Sequence, residues 1–171
     1  MISLRVFIAI ELEDTVKNYI EAAANSLALF GNGNFCKKDA YHITLAFLGE
    51  RENLSTVKAL MDSVEFSPFT VSTANLGNFG STYFVSVKES LPLKNLQAQL
   101  AEALRADSVW FDEKPFKPHI TLVRRFEKRG QPFVFVPEVT FEVKEISLLE
   151  TVGAGVYKTL YKKAGKMMKN V

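Results

Sequence analysis

Cysteine is almost absent from this 171-residue chain, and histidine is nearly as scarce. Cys36 has no partner for an intrachain disulfide, which excludes a stapled fold, and the two histidines leave too few ligands for a four-coordinate zinc site. Long apolar runs are missing as well. The most apolar N-terminal stretch is interrupted by Arg5 and closed by Glu11, well short of the roughly 20 residues a membrane-crossing helix needs. The residues after Met1 lack a basic leader and a small-residue cleavage site, so they do not read as a signal peptide, and a cytoplasmic address is expected. Charge of one sign is not in excess either: a formal net charge of +2 excludes bulk binding of polyanions through overall charge alone. No linker, low-complexity tract or shift in composition divides the chain. One two-lobed domain over 1–171 is expected, a monomer with no membrane contact.

Apolar material is plentiful. Hydrophobic side chains make up 47% of the residues and aromatic ones 12%, enough for a substantial core. Branched and aromatic residues over 4–12 predict a buried strand, and Val16, Tyr19, Ile20, Ala23, Ala24, Leu27 and Phe30 recur at helical spacing behind Asp14 as a cap. Gly31-Asn32-Gly33-Asn34 is expected to stop that helix. A strand over 41–48 and a helix over 54–64 follow, the latter capped by Asn53 or Ser55. The second half repeats this order: strands at 69–76 and 83–87, a helix at 91–104, then strands at 119–123, 133–136, 139–150 and 156–161. The last two form a hairpin through Gly153-Ala154-Gly155. The expected fold class is α+β, with two pseudo-symmetric lobes, each an antiparallel-rich sheet with helices on its outer face, around a central cleft.

The two histidines head the same tetrapeptide, His-Ile-Thr-Leu, at His42 to Leu45 and at His119 to Leu122. A lone histidine on an apolar strand is usually a satisfied structural residue, but the identical context on both removes that explanation. Side chains alternate along a strand, so Ile43, Leu45, Ile120 and Leu122 anchor the two cores while His42 with Thr44, and His119 with Thr121, share the opposite faces. Two such faces across a cleft bring two imidazoles and two hydroxyls together. Imidazole titrates near pH ~6.5, so one ring protonated and one neutral provide a general acid and a general base, and each hydroxyl can donate to a phosphoryl oxygen. Carboxylates such as Asp112 and Glu113 offer a metal-binding alternative, but no His or Cys cluster accompanies them, so neither metal nor cofactor is expected.

The flanking residues refine the site. Strict alternation places Phe47 with Ile43 and Leu45, in the core, and gives Arg124 the parity of Ile120 and Leu122, so that only a bulge or strand end turns it toward a phosphate. Tyr41, of opposite parity to His42, is expected in packing or on the cleft rim. Basic residues gather around the second histidine (Lys114, Lys117, Arg124, Arg125, Lys128, Arg129) and at the C-terminus (Lys158, Lys162, Lys163, Lys166, Lys169), the latter read as a solvated end.

Taken with Arg5-Val-Phe-Ile-Ala-Ile, His42-Ile-Thr-Leu-Ala-Phe-Leu-Gly-Glu, Phe116-Lys-Pro-His-Ile-Thr-Leu-Val-Arg and Gly155-Val-Tyr157, the chain resembles the two-histidine phosphoesterase superfamily, and within it the RNA 2′,3′-cyclic phosphodiesterases once called 2′-5′ RNA ligases. The resemblance implies opening of a 2′,3′-cyclic phosphate, on RNA 3′ ends or cyclic nucleotides, to a 2′-phosphate. It also implies that His42 donates a proton to the leaving 3′ oxygen, that His119 activates water, and that Arg124 pairs with phosphate. Thr151 stands where relatives often carry a serine, and Tyr41 where they carry a polar residue. Two alternatives stay open: ATP-independent 2′-5′ joining of RNA, which runs the same acid and base in reverse, and a vestigial RNA-binding module using the basic residues after Leu122 and aromatics such as Phe126.

Overall fold

The structure, a computed structural model, describes residues 2–167. The chain runs β1 (Leu4–Glu11), α1 (Asp14–Leu27), β2 (Gly31–Phe35), β3 (His42–Arg51), α2 (Ser55–Ser63), β4 (Phe69–Phe79), β5 (Thr82–Val87), α3 (Leu91–Ala106), β6 (His119–Lys128), β7 (Thr140–Val143), β8 (Glu145–Gly153) and β9 (Val156–Ala164), with short 3-10 turns at Ala28–Phe30 and Lys38–Ala40. Two antiparallel sheets result, of four strands in the order β3-β1-β8-β9 and of five in the order β2-β6-β5-β4-β7. The two histidine tetrapeptides therefore open equivalent strands, β3 and β6, in different sheets. The lobes are not halves of the chain, because β2 crosses to the second sheet and β8-β9 return to the first.

The helices form where their apolar spacing predicts. In α3, Leu93, Leu96, Leu100 and Leu104 are buried, Ser90 Oγ accepts from the Leu93 N–H at 3.2 Å, and Pro92 occupies the first turn, where no N–H is required. Ahead of α2, Asn53 Oδ1 accepts from the Ser55 N–H at 2.9 Å. In α1 the cap position is Glu13 rather than Asp14, which lies in the first turn, where its charge favours the helix dipole. The helices cover the outer sheet faces, and one apolar cluster joins Val6, Ile8 and Ile10 of β1 to Ile120 and Leu122 of β6 and to all three helices. The other face of β1 carries Phe7 and Ala9, which with Leu149 form a separate apolar floor. Among the described residues, no helix is long and apolar enough to cross a membrane.

Three sequence expectations are corrected. Gly31 to Asn34 is not merely a helix stop: it begins β2, whose glycines let its backbone lie against β6. A Cβ on Gly31 would sit 2.3 Å from the Glu127 carbonyl oxygen, and one on Gly33 would sit 2.7 Å from a Val123 methyl. The alternating stretch at 133–136 has no strand partner. Phe133 and Phe135 are exposed, and the following turn is pinned instead by fully buried Thr73, whose hydroxyl donates to Pro137 O and accepts from the Val139 N–H, both at 2.8 Å. The run 139–150 is two strands belonging to two sheets, divided at Lys144, whose carbonyl accepts from the Gly165 N–H.

Candidate active site

Both imidazoles are oriented in the same way. Each is half-buried, and each Nδ1 lies 2.7 Å from the backbone carbonyl two residues earlier, Ala40 O for His42 and Lys117 O for His119. A carbonyl only accepts, so Nδ1 carries the hydrogen and Nε2 is left for chemistry. Each ring also rests on a phenylalanine of the neighbouring strand, Phe7 for His42 and Phe84 for His119, with 5.0 Å between centroids in both. A second aromatic meets each ring edge-on at 5.3 Å, Tyr157 for His42 and Phe79 for His119. Gly77 makes the second arrangement feasible: a Cβ there would fall 2.7 Å from the Phe84 ring.

Strand bulges decide what else enters the cleft. In the pairing of β1 with β3, Ile8 faces Ala46 and Ala9 faces Thr44, so Leu45 is an extra residue, and Leu48 is a second one further on. The parity of β3 flips at the first bulge. Phe47 consequently leaves the core side, contrary to the alternation expected from the sequence, and faces the cleft with His42 and Thr44. In β6 the same event occurs at the same place: Phe84 faces Thr121 and Tyr83 faces Val123, which makes Leu122 the extra residue. Leu122 and Val123 are both buried in the core, and Arg124 emerges on the His119 face. Arg125, at φ 54, marks a further irregularity just beyond it.

Two adjoining cavities line the cleft. The larger, about 530 Å³, includes His119, Phe79, Phe116, Lys114, Lys117 and, from the opposite sheet, Thr44 and Phe47. The smaller, about 250 Å³, includes His42, Thr44, Phe47, Arg5, Tyr157 and Thr151, together with Arg124 from the opposite sheet. Each histidine thus faces groups of the other lobe, and Thr44 and Phe47 border both cavities. Thr121 is half-buried beside His119 but borders neither. Asp112 lines the larger cavity, while Glu113 is paired with Arg105 at 2.6 Å; among the described residues, no group of three or more His, Cys, Asp or Glu converges as metal ligands would.

The two sites differ in electrostatics. His42 Nε2 lies 2.9 Å from the Thr44 hydroxyl. Burial holds the His42 imidazole below its ordinary range against the opposing Ala40 hydrogen bond, and the charges of Arg124 and His119 press the same way as burial, with Glu11 opposing them. Glu11, paired with His42 in the ladder, is itself held by the Ser147 hydroxyl at 2.7 Å and the Thr159 hydroxyl at 3.1 Å. Arg124 also reaches Cys36, its N–H donating to the sulfur at 3.6 Å.

Other expected residues fall elsewhere. Tyr41 is buried in the core. Phe126 is not an exposed RNA-binding aromatic: it is buried beside Tyr83 and Phe35, because the second irregularity in β6 turns it inward. The C-terminal lysines are not simply solvated, since Lys162 pairs with Glu145 and Lys166 with Glu65, and Lys163 donates to Asp62 O; Lys169 lies outside the described residues. Sequence reasoning assigned no site role to Arg5, Phe7, Phe79, Phe84 or Tyr157. No local signal marks these five; for the direction of Phe47 and Arg124 the available signal was the doubled apolar pair after each threonine, Leu45-Ala46 and Leu122-Val123, which breaks alternation at matching points.

Comparison with known proteins identifies the family and the fold. A sequence model of the 2′-5′ RNA ligase superfamily matches residues 12–155. A protein of Archaeoglobus fulgidus named RNA 2′,3′-cyclic phosphodiesterase is 30% identical over 138 residues, covering 77% of each chain. One of the same name from Geobacillus stearothermophilus is 30% identical over 167 residues, covering 85% of this chain and 51% of its own, so this chain spans about half of that relative. The fold is that of the crystal structure of E. coli LigT complexed with 3′-AMP, at a TM-score of 0.83 and 23% identity over 97% of this chain and 100% of that one. Thermus thermophilus TT0787 is also similar, at a TM-score of 0.78 and 26% identity over the same shares.

Proposed function

The chain belongs to the 2′-5′ RNA ligase superfamily, and on that premise we propose that it hydrolyses 2′,3′-cyclic phosphates at RNA 3′ ends to 2′-phosphates through His42 and His119. The observation that carries this is the matched pair of imidazoles, each with Nδ1 tied to a carbonyl so that Nε2 is the nitrogen left for chemistry, lining adjoining cavities that share Thr44 and Phe47. An in-line displacement at phosphorus needs an acid and a base on opposite sides of the phosphoryl group, and two lobes facing each other supply them.

In this reading the ribose lies in the smaller cavity. His42 Nε2 gives its proton to the leaving 3′ oxygen, and His119 Nε2 takes one from the water entering through the larger cavity. The hydroxyl of Thr44 and the guanidinium of Arg124 donate to the phosphoryl oxygens as charge develops there, with Thr121 assisting from beside His119. In the free protein burial above all lowers the His42 pKa, which suits an acid only once substrate has bound: the negative phosphate favours the imidazolium and opposes that shift. The residues supply acid, base and anion donors among themselves, and no metal is proposed. The test is ³¹P NMR end-group analysis of a short oligonucleotide 2′,3′-cyclic phosphate incubated with the protein in chelator. A 2′-phosphate at an undiminished rate is expected; a 3′-phosphate, or no turnover, contradicts the reading.

One observation favours a second reaction at the same site. The cavity on the His119 side, about 530 Å³ with Phe79, Phe116 and Phe47 in its walls, is far larger than an attacking water requires. A 5′-hydroxyl of a second RNA end entering there in place of water gives 2′-5′ joining without ATP, with His119 taking its proton and His42 again protonating the leaving 3′ oxygen.

A further inference from the structure

Two guanidinium groups enter the smaller cavity, although a cyclic phosphate carries one negative charge and Arg124 already answers it. Arg5 lines that cavity as well. It stands one side-chain alternation along β1 from Phe7, the ring on which His42 rests, or roughly 7 Å of extended backbone. Its head lies over Phe47, with its guanidinium carbon 5.2 Å from the centroid of that ring. Stacking of this kind fixes the plane of the guanidinium while leaving its N–H edge open.

That edge has no carboxylate. Glu50 faces Arg5 in the ladder, yet among the described residues no ion pair joins them, and none involves Arg124. Two cations without carboxylate partners line a cavity of about 250 Å³ and repel each other, a cost that water moderates because both side chains are exposed. A second anion relieves that cost. On a chain end the nearest second anion is the phosphodiester at the 5′ position of the same nucleotide, separated from the cyclic phosphate by the ribose.

The geometry points to Arg5 as a specificity-determining residue that binds the 5′-phosphoryl group of the terminal nucleotide, so that a chain end is preferred to a free 2′,3′-cyclic nucleoside. This rests on the hydrolase reading above. The test compares kcat/KM for adenosine 2′,3′-cyclic phosphate with and without a 5′-phosphate, in wild type, Arg5→Gln and Arg5→Lys. In wild type the 5′-phosphorylated compound is expected to be better by about 10- to 100-fold, the range for a charge-assisted contact. The ratio should fall close to one in Arg5→Gln and recover in part in Arg5→Lys, which keeps the charge without the planar fork. Equal kcat/KM for the two compounds in wild type overturns the inference and leaves hydrolysis standing, as does a ratio unchanged in Arg5→Gln. Failure to turn over either compound while a cyclic-phosphate oligonucleotide is hydrolysed overturns the inference alone; failure on all three overturns both. An Arg5 that only supports Phe47 would alter both compounds alike and leave the ratio intact.

Discussion

Phe47 and Arg124 occupy the same place in the two halves of the molecule: each lies five positions past its histidine, and each is turned into the cleft by a strand bulge. Ile43-Thr44-Leu45 and Ile120-Thr121-Leu122 repeat, and the following pair is Ala46-Phe47 in one lobe and Val123-Arg124 in the other. One lobe thus offers an aromatic face and the other a guanidinium, which differentiates two otherwise matched sites.

The first prediction separates those two contributions. Arg124→Ala removes a charge-assisted contact to the phosphoryl group and should lower kcat/KM by about 10- to 100-fold. In the reading that the terminal base stacks on Phe47, which borders both cavities, Phe47→Ala removes a contact made equally in ground and transition states, so KM should rise about 10-fold with kcat little changed. Steady-state kinetics on a cyclic-phosphate oligonucleotide separates the two patterns.

The second prediction concerns pH. Burial first, then the charges of Arg124 and His119, lower the His42 pKa in the free protein. If His42 must be protonated to act, kcat/KM, which reports the free enzyme, falls as pH rises through that depressed value. The corresponding limb of kcat, which reports the complex, should lie at higher pH, because the bound phosphate favours the imidazolium. In Arg124→Gln the His42 resonance should titrate at higher pH than in wild type, since a cation that opposes protonation is gone. A downward shift would contradict this.

Third, the rings beneath the histidines should position them without touching substrate chemistry. Phe84→Leu leaves His119 with one of its two ring contacts and should reduce kcat by about 10-fold, the scale of a small misplacement of a catalytic group, while KM stays nearly constant. Gly77→Ala, which presses on the Phe84 ring, should shift kcat in the same direction.

Fourth, Thr73→Val should destabilise the protein by about 1–3 kcal/mol in denaturant unfolding, because the Pro137 carbonyl and the Val139 N–H lose their buried partner. Far from the cleft, it should leave kcat/KM unchanged.

Much of this was legible in the sequence, and the reasons it stopped are specific. Helical spacing located α1, α2 and α3, and alternation placed His42 with Thr44 and His119 with Thr121 on the cleft faces, because those features depend on neighbours one to four residues away. Phe47, Phe126 and the direction of Arg124 depend on bulges, and a bulge is set by the partner strand: one extra residue reverses every later side chain. Gly31 and Gly33 looked like a helix terminator because the demand for glycine comes from β6, far along the chain. Arg5, Phe7 and Tyr157 join His42 only through the order β3-β1-β8-β9, which no local pattern records.

The claim that both imidazoles act on one phosphorus is tested most directly by a double-mutant cycle with His42→Ala, His119→Ala and the double variant on a 2′,3′-cyclic-phosphate oligonucleotide. Each single change should cost roughly 10²- to 10⁴-fold in kcat, and the double variant should be scarcely slower than the slower single one, as for groups that work as a unit. Losses that multiply in the double variant, or a single variant with wild-type turnover, would contradict it.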